Sequence, residues 1–179
     1  MLQLTIPSIE QWDEVNERFV WTKEYTLQLE HSLVSLSKWE SKWHKPFLSK
    51  EERTSEESID YIRCMTITQN VEPEAYKFIT SENIKAVTDY IGEPMTATTF
   101  HDEKKGVNRE IITAEVIYYW MVALQIPFEC QKWHLNKLIA LIKVCEVKNQ
   151  PPKKMSKKET MSRNAALNAA RRRSLNSKG

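Results

Sequence analysis

Glycine and cysteine are the scarcest residues of this 179-residue chain, with three copies each. Three glycines leave no glycine-rich phosphate-binding loop. Together with 28% charged residues they favour helices over a sandwich or barrel. The cysteines, Cys64, Cys130 and Cys145, are odd in number, and each falls inside an apolar helical pattern. They read as buried thiols of a reducing compartment, not as a disulfide framework. No CxxC or HxxxH pair and no G-x-S-x-G elbow occurs, so neither a zinc site nor a nucleophile on a tight turn is advertised. No apolar run reaches the roughly 18–20 residues that a membrane span requires. The opening MLQLTIPSIEQWDE has no positive n-region and no long apolar h-region, so no secretory signal is expected. Length alone predicts one domain plus appendages, large enough to bury a core unaided.

What is present is concentrated between Ile112 and Val147, the densest apolar stretch. Ile117, Trp120, Met121 and Leu124 share one helical face, widened by Val116 and Ala123. Leu135, Leu138, Ile142 and Cys145 repeat at three, four and three, with Ile139 and Leu141 beside them. Pro127 lacks an amide hydrogen and disfavours a helical residue before it, so the first helix should end near Ile126. The expectation is a helical hairpin, or two helices at a corner, at the core of the domain.

Elsewhere the pattern predicts an α+β fold, mainly α: residues 1–32 β-rich, 33–149 mainly helical, and a basic helical or disordered tail from 150. LQLTI alternates as a strand that Pro7 ends. EQWDEVNERFVW reads as a hairpin with Asp13–Arg18 as its loop, and YTLQLEHS alternates again, which together suggest a three-stranded antiparallel sheet. Helices are expected from Ser32 (Leu33, Leu36, Trp39, Trp43) to Pro46, and from Thr54 or Ser55 to near Asn70. A shorter one opens at Pro73, and another runs from Ser81 to a stop at Gly92. TATTF at 96–100 and EIIT at 110–113 would pair across the polar turn HDEKKGVNRE.

Few residues suggest chemistry. Cys130 and His134 lie four apart, but two further ligands are missing, and a buried thiol beside a partly exposed imidazole is the expected reading. Glu115 and Glu129 flank the central helices, where helix-end electrostatics accounts for them. No catalytic, cofactor-binding or metal-binding residue is assigned, and no enzyme activity is expected. Of six tryptophans, Trp39, Trp43, Trp120 and Trp133 fit core stripes, whereas Trp12 and Trp21 lie in the N-terminal sheet and are candidates for a partner surface.

Charge is unevenly distributed. Beyond Gln150 stand nine basic residues and one acid, net +8; the rest holds 17 basic and 23 acidic residues, net −6. Lys153, Lys154, Lys157, Lys158, Arg163, Arg171, Arg172, Arg173 and Lys178 could neutralise phosphates or an acidic protein surface; the alternative is a merely solubilising end. The tail lacks bulky apolar residues, so no membrane partner is expected. Pro151–Pro152 forms a stiff hinge, and S-K-K-E at 156–159 is a capping box for a marginal basic helix.

Across HSLVSLSKWESKW (31–43), PMTAT (94–98), YYWMVALQIPFECQKWHLNKL (118–138), PPKKMSK (151–157) and the terminal SRNAALNAARRRSLNSKG, the chain resembles small proteins of tailed bacteriophages that infect Gram-positive hosts, a group placed among tail assembly chaperones. The resemblance lies in overall phrasing over most of the chain. It implies a helix-rich, non-enzymatic protein of the host cytoplasm, with or without self-association, that binds the tape measure protein while tail-tube subunits assemble around it. Some such families also make a longer form by ribosomal frameshifting. The N-terminal sheet departs from the family's all-helical pattern. Two other readings compete: a nucleic-acid-binding accessory protein acting through residues 153–178, and a structural virion protein at the head–tail junction.

Overall fold

The computed structural model describes residues 1–14, 16–100, 111–150 and 156–175. The chain divides into two compact units, Met1–Glu146 and Val147–Gly179. The fold is α+β, mainly α, and among the described residues the strands lie at the N-terminus. No helix among the described residues is long and apolar enough to cross a membrane.

The strands are β1 (Leu2–Ile6), β2 (Glu10–Asp13), β3 (Arg18–Trp21) and β4 (Tyr25–Leu29). They form two antiparallel ladders, β1 with β4 and β2 with β3, in place of the expected three-stranded sheet. Leu2 faces Leu29 and Ile6 faces Tyr25; further out, Glu10 faces Trp21 and Asp13 faces Arg18. The second ladder therefore continues the register of the first without a slip. Between them the Thr22 amide donates to the Ile9 carbonyl (2.8 Å) and the Ile9 amide to Thr22 Oγ1 (2.8 Å). The whole segment is one two-stranded ribbon folded about residues 14–17. Strands either side of a single turn pair with each other, which is why no third strand joins from within it.

The base and tip of the ribbon differ. Leu4, Ile6, Leu27 and Leu29 are buried, the alternation expected of a ribbon with one face on a core. In β2 and β3, Val20 is half-buried, and the other described side chains are exposed. The third partner of β4 comes from much later in the chain. Thr66 bridges Leu29, the Glu30 amide donates to the Met65 carbonyl (3.0 Å), and the Ile67 amide to the Gln28 carbonyl (2.8 Å). This pairing stops helix α2 (Ser55–Met65) well before Asn70, its expected end.

Helix α1 (Leu33–Trp43) is the centre of the body. It packs against α2, against α4 (Ala114–Ala123) and against the 3₁₀ turn Phe128–Lys132. Leu33, Leu36 and Trp39 are buried on it. Reciprocal capping boxes start three helices: Ser32 with Ser35 on α1, Thr54 with Glu57 on α2, and Thr80 with Asn83 on α3 (Ser81–Gly92). Each cap contributes about 1 kcal/mol. Pro73 opens a 3₁₀ turn to Phe78, not an α-helix.

Pro127 divides the apolar stretch as expected, with a difference of detail. Helix α4 stops at Ala123, Gln125 turns left-handed (φ 54°), and Pro127 opens the 3₁₀ turn that leads to α5 (Leu135–Asn149). Ile117 and Met121 are buried and Trp120 and Leu124 half-buried; Leu135, Leu138 and Ile142 are buried and Cys145 half-buried. Trp133, expected in the core, is 38% exposed, with the Lys137 ammonium 4.5 Å over its ring. TATTF forms no strand, nor do residues 111–113 of EIIT; the turn 101–110 between them lies outside the described residues.

The second unit contains α6 (Lys157–Leu175), none of whose residues is buried. Its capping box forms as the sequence indicates: the Ser156 amide donates to Glu159 Oε2 (2.9 Å) and the Glu159 amide to Ser156 Oγ (3.2 Å). Glu159 in the first turn and Arg172–Arg173 in the last complement the helix dipole. The Pro151–Pro152 hinge, Lys153, Lys154 and Lys178 lie outside the described residues.

Candidate interaction surfaces

The tip of the ribbon presents the most unusual surface of the body. Residues two apart on a strand share a face, and cross-strand partners share it too. Glu10, Trp12, Phe19 and Trp21 therefore lie on one side of the β2–β3 ladder. Trp12 is 47% exposed, Phe19 65% and Trp21 69%. Trp12 and Phe19, paired in register, meet edge to face with ring centroids 4.9 Å apart. Trp12 and Trp21 are thus where the sequence places them, on exposed strand. Phe19 completes the cluster, and the signal for it was the register itself, which brings Phe19 opposite Trp12.

An isolated two-stranded hairpin is marginally stable in water. Here the buried base holds the register, and the aromatic pair adds about 0.5–1.5 kcal/mol. Three large rings with so little burial are not explained by packing within the body.

Of the predicted basic residues, Lys157, Lys158, Arg163, Arg171, Arg172 and Arg173 are brought together on α6, all exposed. Arg171, Arg172 and Arg173 are consecutive and so splay around the helix.

The buried polar groups form a separate cluster of structural joints. His31, 1% exposed, bonds Tyr61 Oη through Nδ1 (2.6 Å), and its ring meets that of His134 at 5.1 Å. His134 is buried, not partly exposed, and Cys130 lies in the 3₁₀ turn before it. The Tyr90 carbonyl can only accept, so His134 Nε2 carries the proton (3.1 Å), while Nδ1 accepts from the Asn136 amide (3.3 Å). Both contacts fit a neutral ring. Burial pushes His31 down to about 3 and lowers His134 as well. The Leu135 amide donates to the His31 carbonyl (2.7 Å), which ties the start of α5 to the β4–α1 joint.

Glu40 is a second joint. Its carboxylate accepts from the Phe47 amide (2.8 Å) and the Ala114 amide (2.7 Å). The Thr113 side chain makes no cap bond at the start of α4, so Glu40 reaches over from α1 to supply one. Burial raises its pKa above the ordinary glutamate value, making it a weaker acid, and the two amides oppose that shift. On α2, Asp60 takes Lys42 (2.5 Å) and Trp43 Nε1 (2.9 Å), and Glu57 takes Lys45 (2.6 Å).

None of this builds a nucleophile. Burial raises the thiols of Cys64 and Cys130, which keeps them protonated near neutrality. Among the described residues no group of three His, Cys, Asp or Glu side chains is placed to hold a metal. One groove of about 400 Å³ is lined by Glu30, Lys38, Cys64 and Lys132 among others. Glu30, its only carboxylate, is already bonded by Tyr90 Oη (2.7 Å).

Helix α4 carries one charged side chain, Glu115, yet Tyr119 and Val122 on its outer side are 68% and 61% exposed. Phe128, just beyond it, is 55% exposed. The body therefore has a second apolar surface besides the ribbon tip. Comparison of the chain with protein families, with curated proteins and with solved structures returns no match, so these surfaces carry the functional reading.

Proposed function

We propose that this protein is a non-catalytic morphogenesis factor of a phage tail, a tail assembly chaperone that holds the tape measure protein while tail-tube subunits gather around it. The observation that carries the reading is the ribbon tip: Trp12, Phe19 and Trp21 exposed together on a scaffold whose base is locked into the core. Rigid aromatic side chains are the usual anchors of protein interfaces, and a long apolar client needs such anchors. The resemblance of residues 31–43, 118–138 and the terminal segment to the chaperone group supports the choice of client. On this reading the protein acts in the cytoplasm of the infected host and leaves before the virion is complete.

Co-expression with the tape measure protein of the same phage tests this. The client should become soluble and co-purify, and the pair Trp12→Ser and Trp21→Ser should abolish both effects without unfolding the body. An unchanged client solubility in the presence of the wild-type chain refutes it. Mass spectrometry of purified particles separates a chaperone, which should be absent, from a head–tail junction protein. A nucleic-acid partner is favoured only by the exposed cations of α6; that reading requires binding to duplex DNA that falls steeply with salt.

A further inference from the structure

Helix α6 sorts its side chains by face. With about 100° between successive residues, Lys157, Asn164, Asn168, Arg171 and Arg172 fall within about 60° of one line along the helix. The four alanines, Ala165, Ala166, Ala169 and Ala170, and the one acid, Glu159, all lie off that strip. Asparagine is a poorer helix former than alanine, so two asparagines inside an alanine-rich helix do not serve the helix itself. Packing does not account for them either, because no residue of α6 is buried.

The strip matches the major groove of duplex DNA. That groove, about 12 Å wide, admits an α-helix; in it an asparagine amide pairs with N6 and N7 of adenine, and an arginine with O6 and N7 of guanine. From Asn164 to Arg172 the helix rises about 12 Å, or three to four base steps of about 3.4 Å. Other occupants fit less well. Residues 157, 161, 164, 168, 171 and 175 have the four-three spacing of a coiled-coil seam. Lys157, Asn164, Asn168 and Arg171 hold four of those six positions, so pairing two copies would bury like charges. The major groove of duplex RNA is too deep and narrow for side chains to read. An acidic protein surface would use the cations and leave the two amides without a role.

We infer that α6 is a sequence-reading DNA element, with Asn164, Asn168, Arg171 and Arg172 at base edges in the major groove and Lys157 and Lys158 on phosphates. A 19-residue helix with nothing buried is marginal in water, so binding also completes its folding. The activity draws on no residue of the body and stands apart from the chaperone reading.

Fluorescence anisotropy of the full chain tests it, against a pool of short labelled DNA duplexes of random sequence and against the duplex that repeated selection enriches from that pool. Log affinity should fall linearly with log salt, and Lys157→Gln should flatten the slope by about 0.9. Asn164→Ala and Asn168→Ala, both favourable to the helix, should each cut the preference for the selected duplex over the pool about fivefold or more, with the slope unchanged. The duplex should increase the helical circular dichroism of the wild-type chain. Trp21→Ser at the ribbon tip should alter none of these readings. A chain that binds no duplex at low salt overturns the inference, as does a selection that enriches no sequence or a preference that survives both asparagine substitutions. Equal binding to duplex RNA or to polyglutamate also overturns it, the latter by marking an acidic protein as the partner.

Discussion

Mild acid should loosen the body through His31 before the ion-paired carboxylates Glu57 and Asp60 respond. In the folded chain His31 is lowered to about 3, because burial disfavours the charged ring, and a charge shared with the adjacent His134 or lying near Arg53 is further opposed. In the unfolded chain its value is the ordinary 6.5. The folded state thus binds fewer protons, and stability is fully present above pH 6.5 and falls as the pH drops towards 3. Near pH 5 the loss from this group is about 2 kcal/mol, since each unit below 6.5 costs about 1.4 kcal/mol. His134 is lowered too and acts in the same direction. Glu57 and Asp60, held down by Lys45 and Lys42 respectively, lose stability only as the pH falls below their unfolded values of 4.5 and 3.8. Glu40 has the opposite sign: being raised, it favours the fold as it protonates, which offsets part of the loss. With a urea slope of about 2 kcal/mol/M, acidification from about pH 7.5 to about pH 5 should lower the unfolding midpoint by roughly 1 M. His31→Gln cannot titrate and can still accept from Tyr61; it should start less stable but show a flatter pH dependence over this interval. A midpoint that is constant between these two conditions, or an equal slope in His31→Gln, would refute the account.

Other perturbations have equally definite outcomes. Glu40→Ala leaves the buried Phe47 and Ala114 amides without their acceptor, and urea unfolding should register a loss of about 2–4 kcal/mol. Leu36→Ala removes a fully buried side chain from the central helix, and the same measurement should show about 2–5 kcal/mol. Ser156→Ala removes the box that starts α6; amide chemical shifts should report lost helicity over the first turns, for about 1 kcal/mol, with α1 to α5 unaltered.

Local signals in the sequence located most of the elements. Ser32, Thr54 and Pro127 place helix starts and a break by their own backbone chemistry, and the apolar periods of α1, α4 and α5 mark the buried faces. What sequence reading missed depends on partners distant in the chain. Thr66 and Ile67 carry no strand pattern of their own, and become the edge of β4 only because α2 delivers them there. TATTF has strand propensity without a neighbouring edge to bond. Glu40 looks like one more surface acid on α1 until Ala114, far along the chain, donates to it. His31 and His134 are isolated histidines in the sequence, and only the tertiary fold sets their rings face to edge. At the candidate surface, Trp12 and Trp21 were legible as aromatics on exposed strand, but the membership of Phe19 and Glu10 needed the register.

That unbroken register makes the ribbon a ruler. Side chains alternate between faces with a period of two, so a single residue gained in β2 alone would carry Trp12 to the opposite side and separate it from Phe19 and Trp21. Two residues gained in each strand would leave the cluster intact and move it about 6.7 Å outward, without disturbing Leu4, Ile6, Leu27 or Leu29 below. The reach of this protein can therefore change in quantised steps while its core stays the same.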